Sequence, residues 1–356
     1  MVEMKKKYLN KIDYFRGLAI IGIVAIHTIG QMGSESGLLY YLNLNIKQAM
    51  TYSVPLFVFI SGLVLTYVHY DEKINYFRFT KKRIISVLIP YIFWSCIYLG
   101  YRIFIENEAI SPLIALKKLL VGSADFHLWY IILIFQFYTT FPLLLEFILK
   151  FKKRHLEMLA AVFAFNLLII SIYYSHFDYL SERLLRKIFI FWIFYFMLGA
   201  VMGLNVDHYK QIISSLSLKK IVTLYIIGLA FLIFSYYSDG MITNQSNIFW
   251  FRPEILIYAT LSIIVAIKFM IELNHKEVFR PPLRLLKTIG KYSFGIYLAH
   301  ILIRDILILI FEKIETVQNI PLPDYLLLVL DLLLSLIFVM AVSRLSFERF
   351  IVGTPR

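Results

Sequence analysis

The sequence predicts an all-α polytopic membrane protein of about ten transmembrane helices, with both termini cytoplasmic. Three observations predict it. Of the 356 residues, 60% are hydrophobic and only 17% are charged, where soluble domains have roughly 45–50% apolar and about 25% charged residues. The apolar residues gather in runs close to the ~20 needed to cross a hydrocarbon core of about 30 Å. Basic residues cluster between those runs, on alternate sides. A surplus of this size cannot be hidden in one globular core, so lipid must solvate much of the chain.

The elements follow in order. Met1 to Arg16 is basic and leads into an apolar run from Gly17 to Ile29, which superficially resembles a secretory signal. No small-residue cleavage site follows, and the stretch carries Arg16 and His27, so it reads as an uncleaved first span over 15–33. Further spans are predicted at 47–68, 84–104, 128–149, 156–176, 188–205, 219–236, 253–272, 291–311 and 325–345. Backbone groups in lipid must bond internally, so helices are the reading for runs this long and apolar; the alternation of an outer-membrane strand is absent. With the N-terminus inside, inner segments hold 26 of the 36 basic residues, in clusters such as Lys5–Lys7, Lys81–Arg83 and Lys152–Arg154, and 10 remain outside. Short-loop bias of this kind sets orientation.

The net charge of +13 is spread over these flanking clusters and forms no continuous stripe, which argues against nucleic acid as a partner. Cys96, the single cysteine, lies in an apolar run, so neither a disulfide framework nor a thiolate metal cluster is expected. No metal is expected elsewhere. No loop is long enough for a second domain, and residues 1–356 read as one membrane domain. Chemistry must therefore come from polar residues within the spans.

Arg16 and His27 are 11 residues apart, which on a helix is three turns and about 20°, so they share one face with a rise of about 16 Å between them. An ionisable group in a span normally faces the bundle interior or a wet cavity. Arg16 also sits where a positive-inside flank belongs. His27 is deeper; it is either a core histidine bonded to a neighbouring helix or the group that moves a proton near pH 7.

The run Ile12-Asp13-Tyr14-Phe15-Arg16-Gly17-Leu18-Ala19-Ile20, leading to Val24 and His27, resembles the opening motif of the membrane acyltransferase-3 family. The resemblance recurs at Lys81-Lys82-Arg83 with Pro90-Tyr91, at His127-Leu128-Trp129-Tyr130, and at Ser293-Phe294-Gly295-Ile296-Tyr297-Leu298-Ala299-His300. Phe191 to Ala200 and Leu88 to Tyr91 are similar to the branch found in intercellular-adhesion (poly-N-acetylglucosamine) operons. Lysines occupy part of a basic motif that usually carries two arginines. The resemblance implies a multi-pass enzyme of the bacterial plasma membrane that moves an acetyl or succinyl group from cytoplasmic acyl-CoA to a hydroxyl of a cell-surface polysaccharide. It implies a glycan acceptor and the polysaccharide synthesis machinery as partners.

On that reading Arg16, Lys82 and Arg83 hold the donor phosphates, arginine by a bidentate fork and lysine as a point charge; membrane anchoring is the other reading of Lys81 to Arg83. His27 is the catalytic candidate, as base or as acyl carrier. Asp13 joins it as a catalytic candidate through Arg16, three residues on and on the same face, unless it is an exposed first-turn acid. His127, Trp129 and His300 are candidates for acceptor binding, although an aromatic belt also explains Trp129. Glu146, Arg304, Asp305 and Asp331 are further charges within or near spans, and Arg304 and Asp305 read as a structural network with partners on neighbouring helices. The alternative from another class is an exporter or flippase of a polysaccharide or lipid-linked sugar, which ten helices and buried charges also suit; paired inverted halves with broken helices would favour it, and none is visible.

Overall fold

A computed structural model describes residues 2–32, 37–71, 74–176, 183–239, 250–273, 276–314 and 323–353, with side chains in the first helix from Ile12 onward. Among them every regular element is helical. The chain runs through α1 (Val2–Thr28), α2 (Gly37–Ala49), a 3₁₀ turn (Met50–Tyr52), α3 (Ser53–His69), α4 (Tyr76–Arg83), a π turn (Ile84–Leu88) and α5 (Ile89–Phe104). It continues with α6 (Pro112–Leu120), α7 (Trp129–Lys150), α8 (His155–His176), a 3₁₀ turn (Phe189–Trp192), α9 (Ile193–Leu204), α10 (Val206–Ser215) and α11 (Leu218–Ser238). The last elements are α12 (Pro253–Leu273), α13 (Arg280–Lys291), α14 (Ser293–Phe311), α15 (Pro323–Val342) and the short α16 (Glu348–Ile351).

Eight described helical segments are long and apolar enough to cross a membrane, and the pair Phe189–Leu204 with Val206–Ser215, bent by 104°, makes nine. The tenth predicted span is α1, whose apolar part is interrupted near its start by Asp13 and Arg16 and which packs at the centre of the bundle against α3, α13, α14 and α15. Gly33, the last residue of the predicted first span, lies outside the described residues, as do Lys73 and Arg356 of the inner charge clusters.

The structure adds three features to the predicted spans. The second span is longer, from Gly37 to His69, and its 3₁₀ turn falls where Thr51 Oγ1 and Ser53 Oγ donate to the carbonyls of Gln48 and Met50, at 2.7 Å each. Hydroxyls that bond back to the preceding turn commonly bend a helix. The third span starts earlier, with the basic α4 capped by Asn75, whose side chain accepts from the Arg78 amide. It then passes through the π turn before Pro90, a residue with no amide proton to give its preceding turn. Finally, α13 precedes the ninth span as a separate helix. Its apolar positions are diluted by Arg280, Arg284, Lys287 and Lys291, so a search for long apolar runs passes over it.

Two backbone contacts fix the interior. Gly62 on α3 and Gly199 on α9 face each other so closely that a Cβ on Gly199 would stand 2.8 Å from the Phe59 carbonyl carbon and 3.0 Å from the Leu63 amide. Small residues permit this approach where lipid supplies no hydrophobic drive between helices. Gly290 on α13 meets α1 in the same way, with a Cβ there 2.6 Å from the Asp13 carbonyl carbon and 2.7 Å from the Gly17 amide. The segment carrying Asp13 and Arg16 is thus positioned by α13.

Candidate functional site

Where α1 ends, neighbouring helices hold it by polar contacts. Arg304 of α14 donates from Nη1 to the His27 carbonyl at 2.9 Å and from Nε to Asp305 at 2.8 Å. Thr28 Oγ1 donates to Asp331 of α15 at 2.9 Å, and Ser335 donates to the other Asp331 oxygen at 3.1 Å. A cation at the carbonyl end of a helix is favoured by the helix dipole. Asp324, at the start of α15, accepts from the Met32 amide and from Asn43 Nδ2, both at 2.9 Å. These bonds fix the direction in which His27 projects.

His27 opens onto a cavity of about 330 Å³. Its aromatic wall includes Phe57, Phe126, Trp129, Tyr130, Trp250 and Tyr297, and its described cations are Lys47, Arg183, Arg186 and Arg304. His127 lines it as well. The rings of His27, His127 and His300 form a triangle with centroids 6.5, 5.6 and 5.2 Å apart. Among the described residues no group of three His, Cys, Asp or Glu side chains is arranged to hold a metal ion.

The histidines differ in how they are held. His127 is almost completely buried, and its Nδ1 lies 2.9 Å from Asp125 Oδ1. A carboxylate oxygen accepts, so Nδ1 carries the proton and Nε2 keeps its lone pair while the ring is neutral. Asp125 Oδ2 accepts from Arg102 at 3.2 Å, and Arg102 also bonds Glu108 at 3.1 Å. Burial alone would raise the Asp125 carboxyl, but His127 and Arg102 outweigh it and hold the carboxyl below its usual range. The backbone of His127 is pinned too, since the Tyr297 hydroxyl donates to its carbonyl. His300 is fully buried and donates from Nδ1 to the Tyr297 carbonyl at 2.9 Å.

Comparison with known proteins gives this geometry a family. The profile of the acyltransferase-3 family, described as an acyltransferase domain, matches residues 9–345. The chain belongs to that family. It is a membrane-bound O-acyltransferase and a multi-pass protein of a bacterial membrane. Among its acyltransferase-3 relatives, a Staphylococcus aureus (strain MRSA252) protein named "Probable poly-beta-1,6-N-acetyl-D-glucosamine export protein" is 26% identical over 324 residues, covering 84% of this chain and 83% of that one. The "O-acetyltransferase OatA" of S. aureus (strain NCTC 8325 / PS 47) is 25% identical over 330 residues, covering 83% of this chain and 50% of its own length. No solved structure matches.

In this acyltransferase-3 chain the predicted residues divide into two groups. His27, His127 and Trp129 come together on one cavity, with Trp129 stacked under the Arg186 guanidinium at 5.1 Å. His300 stands behind the two cavity histidines and is not part of the wall. Asp13 and Arg16 lie lower on α1, about 21 Å and 16 Å from His27 at 1.5 Å per residue; they are paired to each other at 2.9 Å. The basic pair separates. Arg83 is buried between the rings of Phe79 and Tyr138, at 5.0 and 5.1 Å, while Lys82 points outward.

Sequence reasoning missed Asp125, Arg102, Lys47, Arg183, Arg186 and Trp250. For Asp125 a signal existed, an acid two residues before a histidine in a short connection between spans. Lys47, Arg183, Arg186 and Trp250 lie at helix ends, where flanking charge and interfacial aromatics already explain such residues.

Proposed function

We propose that the chain, as one domain over 1–356 with both termini cytoplasmic, transfers an acetyl or succinyl group from cytoplasmic acyl-CoA to a hydroxyl of an extracytoplasmic cell-surface polysaccharide. One observation carries the reading: His27 opens onto an aromatic-walled cavity from the same face of α1 that holds Arg16 about 16 Å below. A donor whose phosphates rest near Arg16 and Arg83 at the inner end has a flexible pantetheine arm of about that length. Its thioester then reaches His27 without the nucleotide leaving the inner face. Asp13 orients Arg16 from the same helix. Trp129 and its aromatic neighbours offer flat faces to sugar rings, His127 stands beside them on the acceptor side, and His300 backs both cavity histidines. His27 takes a proton from the acceptor hydroxyl or carries the acyl group itself.

The polysaccharide acceptor is supported by the names of the relatives, one a "Probable poly-beta-1,6-N-acetyl-D-glucosamine export protein" and one an O-acetyltransferase. The word export in the first name also favours a second reading, a carrier of the polysaccharide or of a lipid-linked sugar. Purified protein in liposomes, given radiolabelled acetyl-CoA or succinyl-CoA on the inner side and polysaccharide on the other, separates the two. Label on the glycan is the result expected of the transferase. Glycan translocated without label is the result expected of the carrier and would overturn the proposal.

A further inference from the structure

We infer that His127, held by Asp125, is the base on the acceptor side of the cavity, and that His27 serves the donor side. The inference rests on the acyl-transfer reading above and divides the work of that site between two histidines.

The bonding of His127 resembles that of a working base and not that of a packing residue. Its Nδ1–H is committed to Asp125 Oδ1 at 2.9 Å, so the neutral ring presents Nε2 as an acceptor. Nε2 is buried and has no hydrogen-bond partner among the described residues, whereas buried polar atoms in folded proteins are almost always paired. The same residue lines the cavity. The His127 side chain borders that space fully covered, so an acceptor hydroxyl supplies the missing donor once the wall yields to admit it. His300 makes the contrast clear, because its Nε2 is also unpartnered but no described carboxylate holds its Nδ1 and it lies off the cavity wall.

Asp125 is equipped to hold the ring in one orientation. It is 5% exposed, one oxygen is taken by His127 and the other by Arg102, and Arg102 is itself tied to Glu108. With the Tyr297 hydroxyl bonded to the His127 carbonyl, both ring and backbone are fixed before substrate arrives. A carboxylate that fixes the tautomer and then stabilises the imidazolium is the arrangement used by serine hydrolases on unrelated folds.

The step balances without an outside reagent. The acceptor O–H bond breaks and its proton passes to His127 Nε2 while the oxygen forms a bond to the acyl carbon. The bond from that carbon to its carrier breaks, and the electron pair leaves with the carrier atom: the thioester sulfur, or the His27 nitrogen if the acyl group was first moved there. The proton held by His127 is the one the departing thiolate finally needs, so the cycle closes.

The full-length chain in liposomes, with radiolabelled acetyl-CoA and a polysaccharide acceptor, tests this by the split between kcat and KM. His127→Gln is expected to lower kcat about 10²–10⁴-fold, the range of a positioned base, with acceptor KM changed less than threefold. Asp125→Asn keeps an oxygen for Nδ1–H and removes the charge; it is expected to lower kcat at least tenfold, again with acceptor KM and thermal unfolding close to the parent. A raised KM with kcat unchanged in His127→Gln would make His127 a binding residue and overturn the inference. If His127→Gln does not insert, Asp125→Asn decides, and parental kcat there overturns it equally. Absence of label on the glycan with the parent protein instead overturns the acyl-transfer reading beneath, and the inference with it.

Discussion

Gly290→Ala places one methyl group between α13 and α1, against the backbone of Asp13 and Gly17 and against no side chain assigned to chemistry. The new Cβ would stand 2.6 Å from the Asp13 carbonyl carbon and 2.7 Å from the Gly17 amide. Ordinary contact begins at 3.4 Å, and the Asp13 carbonyl oxygen would stand closer still than its carbon, so the two backbones must part by well over about 0.8 Å, and rigid backbone rather than a side-chain tip has to give. Overpacking of this kind costs about 1–3 kcal/mol, while helix propensity favours alanine by about 1 kcal/mol, so a loss cannot come from propensity. The larger consequence is functional, because the displaced segment carries Asp13 and Arg16. A misplacement of about 1 Å can cost on the order of 10² in rate. The expected result is therefore about a hundredfold lower kcat/KM for acyl-CoA in a protein that still inserts, measured by label transfer in liposomes beside a fluorescence-detected melting curve. Gly228→Ala is the control, since its Cβ would meet only the tip of Leu261, Cδ1 at 3.0 Å, and near-parental activity is expected. Equal activity in the two variants would refute the claim that α13 positions the donor end of α1.

The two members of the basic pair should behave differently. Arg83→Ala, which removes a guanidinium buried between Phe79 and Tyr138, should raise the KM for acyl-CoA about tenfold or more while leaving kcat at saturation largely intact, as loss of uniform binding does; Lys82→Ala, on the outward face, should change it less than about threefold, and the reverse order would place the donor contact on Lys82 instead of Arg83. For topology, a cysteine at position 3 should resist an impermeant thiol reagent in intact cells and react after the membrane is opened, with Cys96→Ser as background; labelling in intact cells would put the N-terminus outside.

Most of the fold was legible because lipid imposes a simple rule, that each crossing needs about 20 apolar residues, and the predicted bounds fall close to α7, α8, α11, α12, α14 and α15. What the rule missed is amphipathic or interrupted. α13 is basic on one face, and past the 104° bend at Asn205 the separate helix α10 follows the sixth predicted span, which itself matches Phe189–Leu204. At the site, His27, His127 and Trp129 were found because polar groups in apolar runs stand out, but their convergence was not visible, since no spacing rule relates residues on α1, α7 and α14. The Arg16–Asp13 pair followed from helical periodicity alone. The separation of Lys82 from Arg83 could not, because neighbouring residues on a helix point about 100° apart and only the packing of α7 decides which is inside.

The central claim is that His27 acts on the acyl group in the cavity, and His27→Gln tests it most directly. Glutamine keeps a polar, hydrogen-bonding side chain of similar reach without imidazole's basicity or nucleophilicity. Transfer of label from acyl-CoA to polysaccharide, measured with parent and variant protein at equal amounts of folded, inserted chain, is expected to fall at least about a hundredfold, because His27 is the group that meets the acyl donor in the cavity. A folded variant that acylates the glycan at a rate near that of the parent would make His27 a structural histidine and contradict the account.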